Sequence, residues 1–194
     1  MALFDARLIR RSLAWAKHYS GCVARGMGSI SDSRLVPLER FVPYPDWVIL
    51  NVDGDVPMPM SSGSIGGLFH NCDGDWIMGF AKAVGHANSL QAELWALFEG
   101  LLLAWEQGFE KVLVRSDSKQ TVDLVNSPST DSSVLSLVRA IHRLRRHSWA
   151  TIVSWVPRDD NRPADALAKL VDSSVFFFTC LLRTSIRSGL AFKL

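Results

Sequence analysis

The sequence predicts an α/β domain with helices packed on a mixed sheet, and three observations carry that expectation. Three strand-like segments follow one another through short connections. At Ser89 the apolar period changes from that of a strand to that of a helix. Strands and helices then alternate, giving the order β-β-β-α-β-α-α-β-α. With 194 residues, 48% of them hydrophobic, the chain has room for one well-packed domain and a short appendage.

Residues 21–46 are rich in Gly, Ser and Pro without a sustained period and read as a linker. The expected organisation is therefore an N-terminal extension over 1–45, a compact domain over 46–171 and a tail over 172–194. "WVILNV" (47–52) is the first strand. "SIGGLFHN" (64–71) and "WIMGFAKAV" (76–84) are the next two, joined through the Asp73-Gly74 turn signal, so the three should form an antiparallel meander. From Ser89 to Gln107, Leu90, Leu94, Leu97 and Leu101 recur at helical spacing, with Ser89 as the expected cap and Gly108 past the last turn. Gly100 stands inside this helix as a weakness of up to about 1 kcal/mol relative to Ala.

"KVLVRSD" (111–117) then reads as a strand and "SKQTVDLVN" (118–126) as a short helix stopped by Pro128. "SSVLSLVRAIHRLRRH" (132–147) is a helix with Val134, Leu137, Val138, Ile141 and Leu144 on its apolar side. "ATIVSWVP" (150–157) is a fifth strand and "NRPADALAKLV" (161–171) the closing helix. Trp95, Phe98, Trp105 and Phe109 fall at core spacings, and "FFF" at 176–178 folds back on the sheet or marks a truncated gene model.

Composition excludes several classes. Cys22, Cys72 and Cys180 have no close spacing, which rules out a disulfide framework and a cysteine-rich zinc site and suits a reducing compartment, nuclear or cytoplasmic. No stretch reaches the roughly 20 apolar residues of a membrane span. The first 20 residues are Arg-rich with interspersed Leu, as in an organelle transit peptide, but Asp5 counts against that; a solvent-facing helix or the remnant of a longer ancestral protein is the other reading. The formal charge is +2, unevenly spread: residues 1–45 carry seven Lys/Arg against three acids, and residues 46–172 eleven against sixteen. The middle segment is thus not basic, and a nucleic-acid role has to rest on chemistry rather than charge.

That chemistry begins with "VILNVDGD" (48–55). Alternation along the strand puts Leu50 and Val52 on one face and Ile49, Asn51 and Asp53 on the other. A carboxylate there is costly unless something pairs with it or ligates it. Three more acids sit at element ends: Glu93 in the first turn of the long helix, Asp117 at the end of "VLVRSD", and Asp165 in "NRPADALAK". Each alone is explained as a cap or first-turn residue. Together, 40, 24 and 48 residues apart, they form a site only if the fold joins them. Their repulsion would then raise their pKa values unless a divalent cation neutralised them. Oxygen ligands without Cys or His point to Mg2+ or Mn2+.

The stretches "NVDGD", "AELWALFEGLLLAWEQGFEKVLVRSDSKQTVDLVN" and "SWVPRDDNRPADALAKL" resemble the ribonuclease H domain, in its plant, reverse-transcriptase-like branch found in retrotransposon-derived proteins. The resemblance spans roughly residues 46–171 and implies a ribonuclease H-like fold: a mixed five-stranded sheet, three antiparallel strands then two parallel additions, with helices on both faces. It implies cleavage of the RNA strand of an RNA–DNA hybrid with two divalent ions, Mg2+ or Mn2+, leaving a 3′-hydroxyl and a 5′-phosphate. Asp53 would bridge the ions, Glu93 and Asp117 would hold one and Asp165 the other. Asn88 and Gln91, ahead of Glu93, and Lys119 and Arg162 would contact the hybrid, with Arg158 as a further phosphate contact and the "HRLRRH" group (142–147) either another or the solvated face of its helix. Asn161 would touch substrate or hold the loop before Asp165. A monomer is expected.

Two departures stand out. Where the family usually has a histidine, ten residues before the last aspartate, this chain has Trp155, for which core packing is favoured over stacking on a base or sugar. After Asp53 the usual small run is replaced by "GDVPMPMSSGSIGG" (54–67), which brings in Asp55. Both departures favour an alternative: a catalytically weak or inactive domain of the same fold that binds nucleic acid or serves as a scaffold. A 3′–5′ exonuclease or transposase-like nuclease also uses clustered acids, but the spacing and "RSDSKQTV" speak against it.

Overall fold

The structure, a computed structural model, describes residues 46–57, 62–127 and 136–171, and the backbone of 178–181. The expectations for residues 1–45, for Val134, for Phe176 and Phe177 and for the Met-Pro run at 58–61 lie outside the described residues. The sheet is built from β1 (Val48–Asp55), β2 (Ser62–His70), β3 (Trp76–His86), β4 (Lys111–Ser116), β5 (Ala150–Trp155) and β6 (Phe178–Leu181), in the order β5-β4-β1-β2-β3-β6. The first three strands form the antiparallel meander, and β4 and β5 add in parallel beside β1. Beyond the five expected strands, β6 pairs antiparallel with the outer edge of β3.

Helices α1 (Ser89–Glu106), α2 (Lys119–Asn126), α3 (Ser136–Arg145) and α4 (Arg162–Ala168) flank this sheet, a turn of 3-10 helix (Arg158–Asp160) preceding α4. Leu50 and Val52 of β1 point into the main core with Leu94, Leu97 and Leu101 of α1 and Val138 and Ile141 of α3. On the opposite face Leu68, Trp76 and Leu167 form a smaller cluster beneath α4. That face also buries Asn51, Asp53, Ser64 and His70, so the small apolar cluster shares it with polar side chains.

Two local expectations are corrected. The cap of α1 is Asn88, not Ser89: its side chain accepts from the backbone N–H of Gln91, whose own side chain accepts from the N–H of Asn88. Gly100 is no weakness, because a Cβ there would stand 2.8 Å from Cδ2 of Leu50 and 3.1 Å from Cγ1 of Val52. Its lack of a side chain is what lets α1 lie on β1. Of the aromatic residues expected in the core, Phe109 is buried and Trp95 and Phe98 pack on the core, whereas Trp105 stays 37% exposed with its ring edge-on to His147 and Trp149.

Candidate metal centre

The end of β1 brings Asp53 to the seam between α1 and the loop after β4. Gly54 beside it touches the backbone of α1 at Ala92 and Glu93, and β4 runs parallel to β1, so Asp117 emerges next to Asp53. Carboxylate oxygens of Asp53, Glu93 and Asp117 all lie within 4.8 Å of one another. Asp53 and Glu93 are buried and Asp117 half-buried. Three of the four acids singled out in the sequence therefore converge.

Asp165, in the first turn of α4, is not a member of this close group. Its Oδ1 accepts from Arg158 at 3.3 Å and from Lys169 at 2.6 Å. Its charge still reaches Asp53.

The electrostatics follow from crowding and burial. Burial pushes Asp53 up to about 7, helped by the charge of Asp117, a hydrogen bond with it and the charge of Asp165, against a small opposing effect from Arg158. Glu93 is pushed up to about 9, again by burial first and then by Asp53 and Asp117, while a hydrogen bond with Ser116 pulls the other way. Oε2 of Glu93 is buried without a hydrogen-bond partner. An unsatisfied buried carboxylate oxygen among crowded acids fits a site for a divalent cation. Asp53, Glu93 and Asp117 would be its ligands.

Asn88 and Gln91 are exposed one turn before Glu93, their side chains engaged in the capping box. Lys119 is exposed at the start of α2, two residues after Asp117. Arg158 is 75% exposed beside Asp165, and Arg162 is exposed in an ion pair with Asp159. Asn161 is wholly buried. Its backbone carbonyl accepts from the N–H groups of Ala164 and Asp165. Its amide donates to the carbonyl of Val52 at 2.9 Å and to Oδ1 of Asp117 at 3.1 Å. Within "HRLRRH", Arg145 is spent inside the fold, donating to the carbonyl of Val125 at 2.9 Å and to Asn126 and Thr151.

Trp155 corrects the packing expectation. At the end of β5 it is 41% exposed, and its indole Nε1 donates to the main-chain oxygen of Asp117 at 3.0 Å. The half-buried Asp55 stands outside the carboxylate group, its charge acting on Lys169. Three residues at the site were not singled out by sequence: Ser116, Asn51 and His70. The alternation that puts Asn51 on the face of Asp53 was the available signal for one of them.

The fold and the carboxylate cluster together define a ribonuclease H-like domain with an acidic site that lacks the usual histidine. The chain belongs to the reverse transcriptase-like family, which matches residues 51–171. It is 36% identical over 127 residues to a protein of Arabidopsis thaliana described as "Putative ribonuclease H protein", a match that covers 65% of this chain but only 20% of that one. The chain thus spans about a fifth of that relative's length.

Among solved structures, RNase H1 from the halophilic archaeon Halobacterium salinarum is 26% identical with a TM-score of 0.54, covering 63% of this chain and 95% of its own. The N-terminal RNase H domain of a Mycobacterium tuberculosis protein is 25% identical with a TM-score of 0.56, covering 63% and 91%. LC11-RNase H1, solved in complex with an RNA/DNA hybrid, is 19% identical with a TM-score of 0.56, covering 64% and 95%, and shares the fold.

Proposed function

We propose that this domain hydrolyses the RNA strand of RNA–DNA hybrids as a divalent-metal-dependent endonuclease. The observation that carries the reading is the convergence of Asp53, Glu93 and Asp117 at the C-terminal end of β1, with one oxygen of Glu93 left without a partner. Asp53, Glu93 and Asp117 would hold one Mg2+ or Mn2+ ion, and Asp165, with Asp53, would be the ligand for a second. Bound divalent ions of this kind polarise a water and neutralise charge on the scissile phosphate.

The chain's own residues orient and bind. Asn161 and Trp155 fix Asp117 from its side chain and its main chain. Asn88, Gln91, Lys119, Arg158 and Arg162 lie along the path of the hybrid, where amides read the 2′-hydroxyl and cations meet phosphate. The protein works as a monomer in a reducing nuclear or cytoplasmic compartment, and its descent is from the plant retrotransposon branch. No helix among the described residues is long and apolar enough to cross a membrane.

The test is cleavage of a labelled RNA–DNA hybrid with Mg2+ or Mn2+ by the parent and by Asp117→Asn. Slow, metal-dependent product from the parent and none from the variant supports the reading; equal product from both overturns it. Trp155 in the histidine position favours the second reading, a domain of this fold that binds hybrid with little or no turnover. Hybrid binding without product in either protein would select it.

A further inference from the structure

Four side chains join the centre of the sheet to the carboxylate site. Nε2 of His70 lies 3.2 Å from Oδ1 of Asn51, Nδ2 of Asn51 donates to Oδ1 of Asn161 at 3.0 Å, and Nδ2 of Asn161 donates to Oδ1 of Asp117 at 3.1 Å. His70, Asn51 and Asn161 are all buried, in strands β2 and β1 and in the loop before α4. The chain therefore crosses 110 residues of sequence between Asn51 and Asn161 without reaching water.

Its polarity is fixed from the site end. The carbonyl of Val52 and the carboxylate of Asp117 only accept, so both amide protons of Asn161 are committed and its oxygen must accept. Asn51 must then present its own amide protons to Asn161 and its oxygen to His70. His70 closes the line between two acceptors, Oδ1 of Asn51 3.2 Å from its Nε2 and the main-chain oxygen of Asn71 2.8 Å from its Nδ1, and a neutral ring has one N–H to give to either. Neither amide can flip without putting like against like. The two buried amides are thus held in one arrangement, which rigidifies what they touch, and what Asn161 touches is an oxygen of the cluster.

We propose that His70, Asn51 and Asn161 are positioning residues that hold the Asp117 carboxylate in its ligand orientation, so that a change at His70 is felt at the metal centre through two amides. The part of this concerning cation affinity rests on the function proposed above; the part concerning the orientation of Asn161 and Asp117 does not. The residues act through Asp117 and touch neither substrate nor cation.

The full chain is compared with Asn51→Leu, a change of similar volume that removes the link, and with His70→Leu and His70→Gln, the last of which keeps a donor near the position of Nε2. Thermal unfolding establishes that each is folded. In cation-free protein, NMR follows the exchange of the Asn161 side-chain amide protons. They are expected to be protected in the parent, to lose at least about tenfold protection in Asn51→Leu and His70→Leu, and to recover it in His70→Gln. Mn2+ titration is expected to show affinity about 10- to 100-fold weaker in the two Leu variants and near the parent's in His70→Gln.

Folded Leu variants that keep both the protection and the Mn2+ affinity of the parent overturn the proposal. So does a parent whose Asn161 amide protons exchange freely. A parent that takes up no Mn2+ refutes the metal reading, and the exchange measurement then decides the positioning claim alone. If Asn51→Leu fails to fold, the His70 pair decides.

Discussion

Gly54 lies against the backbone of Glu93: a Cβ added to the glycine would stand 2.6 Å from the amide nitrogen of Glu93 and 2.5 Å from the carbonyl carbon of Ala92. No side chain fits there. The glycine after Asp53 is therefore what lets strand β1 and helix α1 bring their acids together. Gly54→Ala should push α1 away from β1, destabilise the fold by about 1–3 kcal/mol and weaken Mn2+ binding beyond what that loss explains. Chemical denaturation and Mn2+ titration on the same protein check this. Unchanged Mn2+ affinity would mean that the close approach does not set the site.

Gly100 gives a prediction in which local propensity and packing oppose each other. Helix propensity says that Gly100→Ala stabilises α1 by up to about 1 kcal/mol. The methyl would instead meet Leu50 at 2.8 Å, so packing predicts a lower melting temperature. A raised melting temperature would show that the Leu50 side chain yields.

The raised carboxyl pKa values turn into a stability profile. Asp53 moves from an ordinary 3.8 to about 7 and Glu93 from 4.5 to about 9, so in this range the folded state binds more protons than the unfolded one. Their contribution is fully present below about pH 4 and is lost as pH rises, through about 7 for Asp53 and about 9 for Glu93. Cation-free protein should therefore lose stability between pH 5 and 9 as far as these groups are concerned. Asp53→Asn should melt higher than the parent at pH 8, and added Mg2+ should stabilise the parent more than the variant. Melting curves across pH with a chelator present check both. A variant that melts lower than the parent at pH 8 would contradict the assigned crowding.

Trp155 combines two roles that substitution can separate. Its indole N–H ties down the main chain of Asp117, and it occupies the histidine position of the family. Trp155→His should raise the rate of hybrid cleavage by at least about tenfold, a floor set below the roughly 10²- to 10⁴-fold that a well-positioned acid–base group contributes. Trp155→Phe, which keeps a ring and loses the donor, should lower it. Single-turnover cleavage of a labelled hybrid separates these outcomes. An unchanged rate in Trp155→His would point to the segment after Asp53 as the limiting defect.

Much of this fold was legible because its signals are periodic and local. Leu90, Leu94, Leu97 and Leu101 announced α1, and Asp73-Gly74 announced the β2–β3 turn, where Gly74 has a φ of 84°. The convergence of Asp53, Glu93 and Asp117 was legible through spacing and resemblance, since parallel pairing of β1 and β4 puts the ends of both strands side by side.

What stayed hidden depended on partners distant in sequence. Asn161 reads as a substrate contact or a holder of the loop before Asp165, and nothing local shows that its side chain bonds Asn51 and the carbonyl of Val52. Gly100 reads as a helix defect until Leu50 is placed against it. Trp155 reads as core by composition, but β5 ends at the sheet margin and leaves its ring half in water. Strand β6 was legible only as a segment that could fold back on the sheet, because the mostly apolar run around Phe178 carries no alternation to distinguish strand from helix.

Uptake of Mn2+ by the parent and by Glu93→Gln, followed by the paramagnetic broadening of NMR signals near the bound ion, tests the central claim most directly. Broadening centred on Asp53, Glu93 and Asp117 is expected in the parent, with its loss at the same Mn2+ concentration in Glu93→Gln. Broadening elsewhere, or an undiminished effect in the variant, would contradict it.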